Sequence, residues 1–260
     1  MLTLPHCSGR SSEDTMSEHA DTARNRKRIL MVVANPAVST TLGWPVGFWA
    51  AELTHAWYEF REAGYEVVIA SPNGGRVEVD ALSDPRDASG YSADDVLSMG
   101  FLATPGLAAL LEATPAIADL DWGAFDALYI AGGQSPMFTF RGDQRLSRLI
   151  RAFHDAGKVV AAVCHGVAAL LDIRLDDGTP LVAGRLLTGF ANSEEDHADR
   201  AVGRKVMPFR IEDEARALGA SFSAAGAFRP HAVRDGNLIT GQQQHSGRLA
   251  AELVIEALGR

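Results

Sequence analysis

The sequence predicts the α/β class: a doubly wound, flavodoxin-like, mostly parallel sheet sandwiched by helices, with antiparallel hairpin additions. Three observations carry this. Arg28–Ala34, Glu66–Ala70, Ala127–Ile130 and Lys158–Val163 are short apolar runs closed by Asn-Pro, Ser-Pro, Gly-Gly or Cys-His-Gly, the pattern of strands buried on both faces. Helical periodicity fills intervals between them, with Phe48–Ala63 ending at Gly64 and Asp143–Ala156 at Gly157. The first strand, first helix and second strand form a β-α-β unit, which implies parallel pairing.

The remaining elements follow in order. Arg76–Tyr91 is polar and turn-rich and reads as irregular. Two helical segments are expected near Ala93–Phe101 and Thr104–Glu112, and a short strand at Leu186–Thr188. Pro208–Leu218 reads as a helix ending at Gly219, and Ser246–Leu258 as the closing helix. Asp176-Asp177-Gly178 and Asp235-Gly236-Asn237 carry hairpin-turn chemistry, the second joining His231–Arg234 to Leu238–Thr240.

The 260 residues are 47% hydrophobic and 22% charged, with a formal net charge of -9. This is globular composition without the basic footprint of a nucleic-acid binder or the attraction to anionic membranes. The longest apolar run is broken by His165 and Gly166, short of a membrane span. Residues 1–25 read as a disordered polar tail, in which Met16 offers an alternative start, and residues 26–260 as one domain. The two cysteines, Cys7 in the tail and Cys164 at a strand end, do not suggest a disulfide and suit a reducing cytoplasm.

Cys164 sits where the strand Lys158–Val163 gives way to the helical stretch Val167–Leu171. Such a turn lifts the side chain out of the sheet, as the hydrolase nucleophile elbow does for serine. A helix N-terminus behind the sulfur is expected to favour thiolate. His165 supplies an adjacent base and Gly166 the tight turn. Most free cysteines are simply small buried hydrophobes, and that is the competing reading.

Gly132-Gly133 ends a strand and can present backbone N–H groups to an oxyanion; an ordinary turn is the alternative. Glu52 lies among apolar neighbours in the first helix, where burial would raise its pKa, although most helix glutamates are solvated. Glu194-Glu195-Asp196 follows Ser193, read as a helix N-cap with acids in the first turn, one of which could orient His165. His55, His154, His197, His231 and His245 lack ligand spacing, so no metal site is expected.

AVCHGVAALL, the diglycine strand end and EFREAGYEVVIASPNGG together resemble the ThiJ/PfpI superfamily, whose fold is like that of class I glutamine amidotransferases. TGFANSEED, PFRIEDEARALGASF and RPHAVRDGNLITGQQ are similar to the branch holding glyoxalase III and heat-shock chaperone proteins. The resemblance runs from about Lys27 to the C-terminus. It implies a cysteine on the elbow, a histidine after it, an acid beyond a later strand and a glutamate in the first helix. By position these are Cys164, His165, Glu195 and Glu52, with Glu194 and Asp196 as neighbours that could replace Glu195.

The branch commonly carries Gly-Gly-His-Gly where this chain reads Gly132-Gly133-Gln134-Ser135-Pro136. Gln134 still hydrogen-bonds but takes no proton near neutrality. Trp44, Phe48, Trp49 and Trp57 crowd the region of Glu52; as core they carry no message, and as pocket lining they point to a less polar substrate. The resemblance implies a cofactor-independent conversion of methylglyoxal-type 2-oxoaldehydes to 2-hydroxy acids, in a homodimer. The alternatives are a holdase chaperone, or a hydrolase or lyase (amidase, peptidase or isocyanide hydratase-like) for a bulkier small carbonyl-type substrate.

Overall fold

A computed structural model describes residues 26–259, so the reading of the N-terminal tail falls outside the described residues. In chain order the elements are β1 (Arg28–Val32), β2 (Ala37–Val38), β3 (Pro45–Val46), α1 (Ala50–Glu62), β4 (Glu66–Ala70), α2 (Val96–Ala103), α3 (Pro105–Glu112) and β5 (Ala127–Ile130). There follow α4 (Pro136–Thr139), α5 (Gln144–Asp155), β6 (Val159–Val163), α6 (Ala168–Leu171), β7 (Leu186–Leu187) and α7 (Asn192–Val202). The last are α8 (Ile211–Ala217), β8 (Ser221–Phe222), β9 (Ala232–Asp235), β10 (Leu238–Gly241) and α9 (Gly247–Leu258).

One six-stranded sheet has the order β4-β1-β5-β6-β10-β9. Its first five strands run parallel, and β9 closes the edge antiparallel to β10. The parallel strands therefore lie in the order second, first, third, fourth, fifth, which is the flavodoxin-like winding. Side chains alternate between two cores: Leu30, Val32, Leu128, Ile130 and Val160 face one, and Ile29, Met31, Tyr129 and Ala161 the other. Both faces are covered, which is why these strands read as unbroken apolar runs. On the first face α5 contributes Leu146, Leu149, Ile150 and Phe153, an i, i+3, i+4, i+7 stripe. On the second, α1 and α9 pack side by side through Leu53, Ala56, Phe60, Ala250 and Val254.

Several boundaries differ from the sequence reading for local reasons. Phe48 and Trp49 stay extended ahead of α1, because Phe48 bridges Val79 and the Trp49 N–H donates to Gly132 O at 3.0 Å. The N-cap of α7 is Ala191 and not Ser193; Glu194 reaches back to accept from the Ala191 N–H at 2.8 Å. The helix read over Pro208–Leu218 begins only at Ile211. The 76–91 stretch is irregular apart from a 3-10 turn at Ala81–Ser83, whose Ser83 Oγ accepts from the Ala50 N–H at the start of α1, 3.1 Å away.

The turn after β6 is wedged against β5. A Cβ on Gly166 would lie 2.9 Å from the carbonyl oxygens of both Ala131 and Ile130. Sheet backbone cannot move aside cheaply, so Gly166→Ala is expected to lose roughly 1–3 kcal/mol of stability, read as a lowered urea midpoint.

Candidate active site

The site lies at the carboxyl ends of β5 and β6, beside the point where the parallel strand order reverses. β6 stops at Val163, and Cys164 takes a φ of 58°. A left-handed backbone at a non-glycine residue stores about 1–3 kcal/mol, held here by the packing of the turn. A 3-10 turn, Cys164–Val167, and the four-residue α6 follow. This is the strained strand–turn–helix elbow that carries nucleophiles in hydrolases.

The sulfur's surroundings correct one expectation. Cys164 is only 3% exposed, and its thiol lies well above the ordinary value, first because burial disfavours thiolate and then because an ionised Glu52 repels it. With only four residues in α6, a helix dipole does not outweigh this. The His165 backbone N–H acts in the opposite sense, stabilising the thiolate.

Glu52 sits in the first turn of α1 and is wholly buried. Its Oε2 accepts from the Gly132 N–H at 2.6 Å. Among the described residues Oε1 has no hydrogen-bond partner, and the neighbouring Cys164 acts to lower the pKa of the carboxyl. The Tyr129 hydroxyl donates to Glu52 O at 3.0 Å, and a Cβ on Gly247 would come within 3.1 Å of Glu52 Cα. The sheet and α9 thus fix the glutamate from two sides. Burial raises its pKa to about 8 against the lowering effects of Cys164 and the Gly132 N–H. At neutral pH Glu52 therefore holds its proton. Its charge then no longer opposes the thiolate, and the carboxyl can donate toward sulfur; the two groups titrate as a pair.

His165 is buried beside Cys164, with Nδ1 at 3.9 Å from Sγ, a long contact. Its Nε2 meets Glu195 Oε1 at 3.0 Å, and its ring packs 4.3 Å from that of Phe190. If Nε2 donates to the carboxylate, Nδ1 is left with a lone pair toward the sulfur. Of the three adjacent acids, Glu195 is the one that reaches His165. Glu194 Oε1 accepts from the Phe228 N–H and Gln242 Nε2, each at 2.9 Å, and burial raises its pKa. Asp196 pairs with Arg210 at 2.6 Å.

The diglycine divides its duties. The Gly132 N–H is committed to Glu52 and does not face an oxyanion, contrary to its sequence reading. A Cβ there would lie 2.8 Å from Glu52 Oε2 and from His165 N, so glycine lets the three meet. Gly133, with φ 106°, packs directly on the Phe48–Trp49 backbone and borders the pocket.

Asp80 was missed in the sequence. It is buried and accepts from the Gly47 N–H at 2.8 Å and the Gln134 N–H at 2.6 Å, tying the 45–48 segment to the turn after β5. Burial lifts its pKa to about 6. A lone aspartate in a turn-rich stretch carries no periodic signal; only its tertiary position gives it a role.

A pocket of about 210 Å³ stands over Cys164, His165 and Glu195. Trp44, Trp49, Gln134, Val202, Met207 and Phe228 help to line it. The aromatic set thus divides, with Trp44 and Trp49 at the pocket, Phe48 in the core and Trp57 packed edge-on against Phe101 at 5.3 Å.

Residues 44–257 match the model of the DJ-1/PfpI family. The chain belongs to the DJ-1/PfpI family. Glutathione-independent glyoxalase HSP31 of Saccharomyces cerevisiae is 28% identical over 239 residues, 90% of this chain and 98% of that protein. Rapid Encystment Protein 24 KDa of Francisella tularensis superposes with a TM-score of 0.82 at 27% identity, covering 90% of this chain and 100% of that one. Glyoxalase III of Candida albicans superposes with a TM-score of 0.74 at 25% identity, covering 89% and 97%. The family assignment agrees with the resemblance drawn from the sequence.

In this DJ-1/PfpI chain the state of Glu52 has a consequence for stability. An unfolded glutamate loses its proton near 4.5, whereas the folded one keeps it to about 8. The folded state binds more protons across that window, so this group's contribution to stability falls as pH rises through it. Glu52→Gln keeps an acceptor for Gly132 and removes the titration. The variant is expected to gain on the order of 1 kcal/mol or more relative to wild type on going from pH 5 to pH 8, read from urea midpoints at the two pH values.

Proposed function

We propose that this protein is a glyoxalase III-type enzyme, cysteine-dependent and independent of glutathione and cofactors, that converts 2-oxoaldehydes to 2-hydroxy acids. The observation that carries the reading is the protonated, buried Glu52 beside a cysteine on a strained elbow. The relatives named as glyoxalases, which the chain matches along most of their length, support it.

In this reading the Cys164 thiol gives its proton to His165 Nδ1 as the sulfur adds to the aldehyde carbon, and the His165 and Gly133 N–H groups steady the oxygen as charge develops. Glu52 protonates that oxygen to give a hemithioacetal. Now ionised in a dry site, it is a strong base toward the C1 hydrogen and returns a proton at C2. The product is a thioester of the 2-hydroxy acid. As it forms, His165 gives its proton to the former keto oxygen, and the former aldehyde hydroxyl returns its proton to Glu52. His165, oriented by Glu195, then takes a proton from the water that hydrolyses the thioester and passes it to the departing sulfur. Asp80 acts at one remove by holding the Gly133–Gln134 turn. Cys164 as a free thiol fits a cytoplasmic setting, and homodimeric assembly is part of the same proposal through the family. Among the described residues no helix is long and apolar enough to cross a membrane.

Wild-type protein is expected to turn methylglyoxal into lactate without glutathione. Cys164→Ala should lower kcat/KM by about 10³-fold or more, and Glu52→Gln by about 10²-fold or more while the fold is retained. Chromatography of product with circular dichroism of each variant checks this. A wild-type protein inactive on methylglyoxal and glyoxal would sink the reading.

A further inference from the structure

The pocket above Cys164, about 210 Å³, has room for more than methylglyoxal, a molecule of a handful of heavy atoms, and it is built mainly from apolar side chains. Ala201 and Val202 of α7 form one wall, continued by Val206 and Met207, with Phe228 and Trp49 among its aromatic lining. Neither lysine nor arginine lines it, while Glu195 does, and Glu52 and Asp80 are buried close behind. A carboxylate or phosphate on the substrate would find acids and, of basic side chains among the described residues, only the imidazoles of His165 and His197.

Gln134 adds a directed donor. The Trp44 indole, which can only donate, gives its Nε1–H to Gln134 Oε1 at 3.1 Å. That bond fixes the amide with its oxygen toward Trp44, and the NH₂ group has no acceptor among the described residues. Gln134 borders the same pocket as Cys164.

We propose that the site is built for uncharged 2-oxoaldehydes bearing a bulky apolar substituent, an aryl group or a longer alkyl chain. The substituent lies against Val202, Val206, Met207 and Phe228, and the Gln134 amide donates to the keto oxygen. This rests on the glyoxalase reading and adds the substrate class. The reaction balances without an outside oxidant. A C–S bond forms at C1, a proton leaves C1 and one arrives at C2, so C1 is oxidised as C2 is reduced. Water then cleaves the C–S bond and the thiol proton returns, for a net addition of water to R–CO–CHO giving R–CHOH–COOH.

The test is kcat/KM for methyl-, propyl- and hexylglyoxal, in which the reacting carbons are the same and only the apolar chain grows. The value is expected to rise at least about tenfold from methyl to hexyl, since each methylene buried in an apolar pocket adds a few-fold. Val202→Asp, at a half-exposed position that tolerates a polar residue, should cut the hexyl-to-methyl ratio about fivefold or more. Gln134→Leu should lower kcat on all three by a similar factor and leave that ratio in place. Turnover that is flat or falls with chain length overturns the inference and leaves the glyoxalase reading standing. A rise untouched by Val202→Asp overturns the assigned wall. No turnover of any member overturns both the inference and the glyoxalase reading.

Discussion

A carboxyl group that no water reaches is the constraint around which this site is arranged. Glu52 accepts the Gly132 N–H at 2.6 Å and faces a cysteine whose thiol is also buried. An isolated charge there would cost many kcal/mol, so the group keeps its proton to about pH 8 instead. The neighbouring architecture follows. Gly132 lacks a side chain where a Cβ would collide with the Glu52 carboxyl, and a Cβ on Gly247 would press on the Glu52 backbone. Tyr129 reaches out of the sheet to hold its carbonyl, and the Trp49 N–H locks the helix entry to Gly132 O.

The elbow supplies the second half of the arrangement. Cys164 is held at φ 58° by the Gly166 turn, which is itself wedged against β5. Strain, burial and a neutral acid then act together on one sulfur. His165 and Glu195 stand on its other side, joined at 3.0 Å. The two sides do different chemistry in the proposed cycle: Glu52 moves protons between carbons, and His165 serves the hydrolytic step. Trp44 and Gln134 shape the mouth and deal with what the substrate carries beyond its two carbonyls.

Much of this was legible in the sequence where it depended on local pattern. The buried strands, their order of appearance and the strand–Cys–His–Gly–helix turn all follow from periodicity and breaker residues within short windows. The family resemblance singled out Cys164, His165, Glu52 and Glu195; the structure joins His165 to Glu195, sets it beside Cys164, and buries Glu52 behind the pocket that the other three line. What escaped depended on distant chain. Asp80 and Ser83 act through contacts with residues 47, 50 and 134 across a loop that has no period of its own. Ser193 resembled a cap, yet Glu194 does the capping, because the helix starts two residues earlier. The thiol was expected to be acidified by a helix, but burial dominates and that helix is four residues long. The Gly132 N–H was assigned to an oxyanion, since nothing in the sequence shows that Glu52 already claims it.

The central claim is that Glu52 is a neutral acid beside Cys164 at neutral pH. Infrared difference spectroscopy of wild type against Glu52→Gln measures this directly. The account predicts a carboxylic-acid C=O band at pH 7 that is absent from the variant and gives way to carboxylate bands as pH passes about 8. A wild-type spectrum in which Glu52 is already carboxylate at pH 7, titrating in the ordinary acidic range, would contradict it.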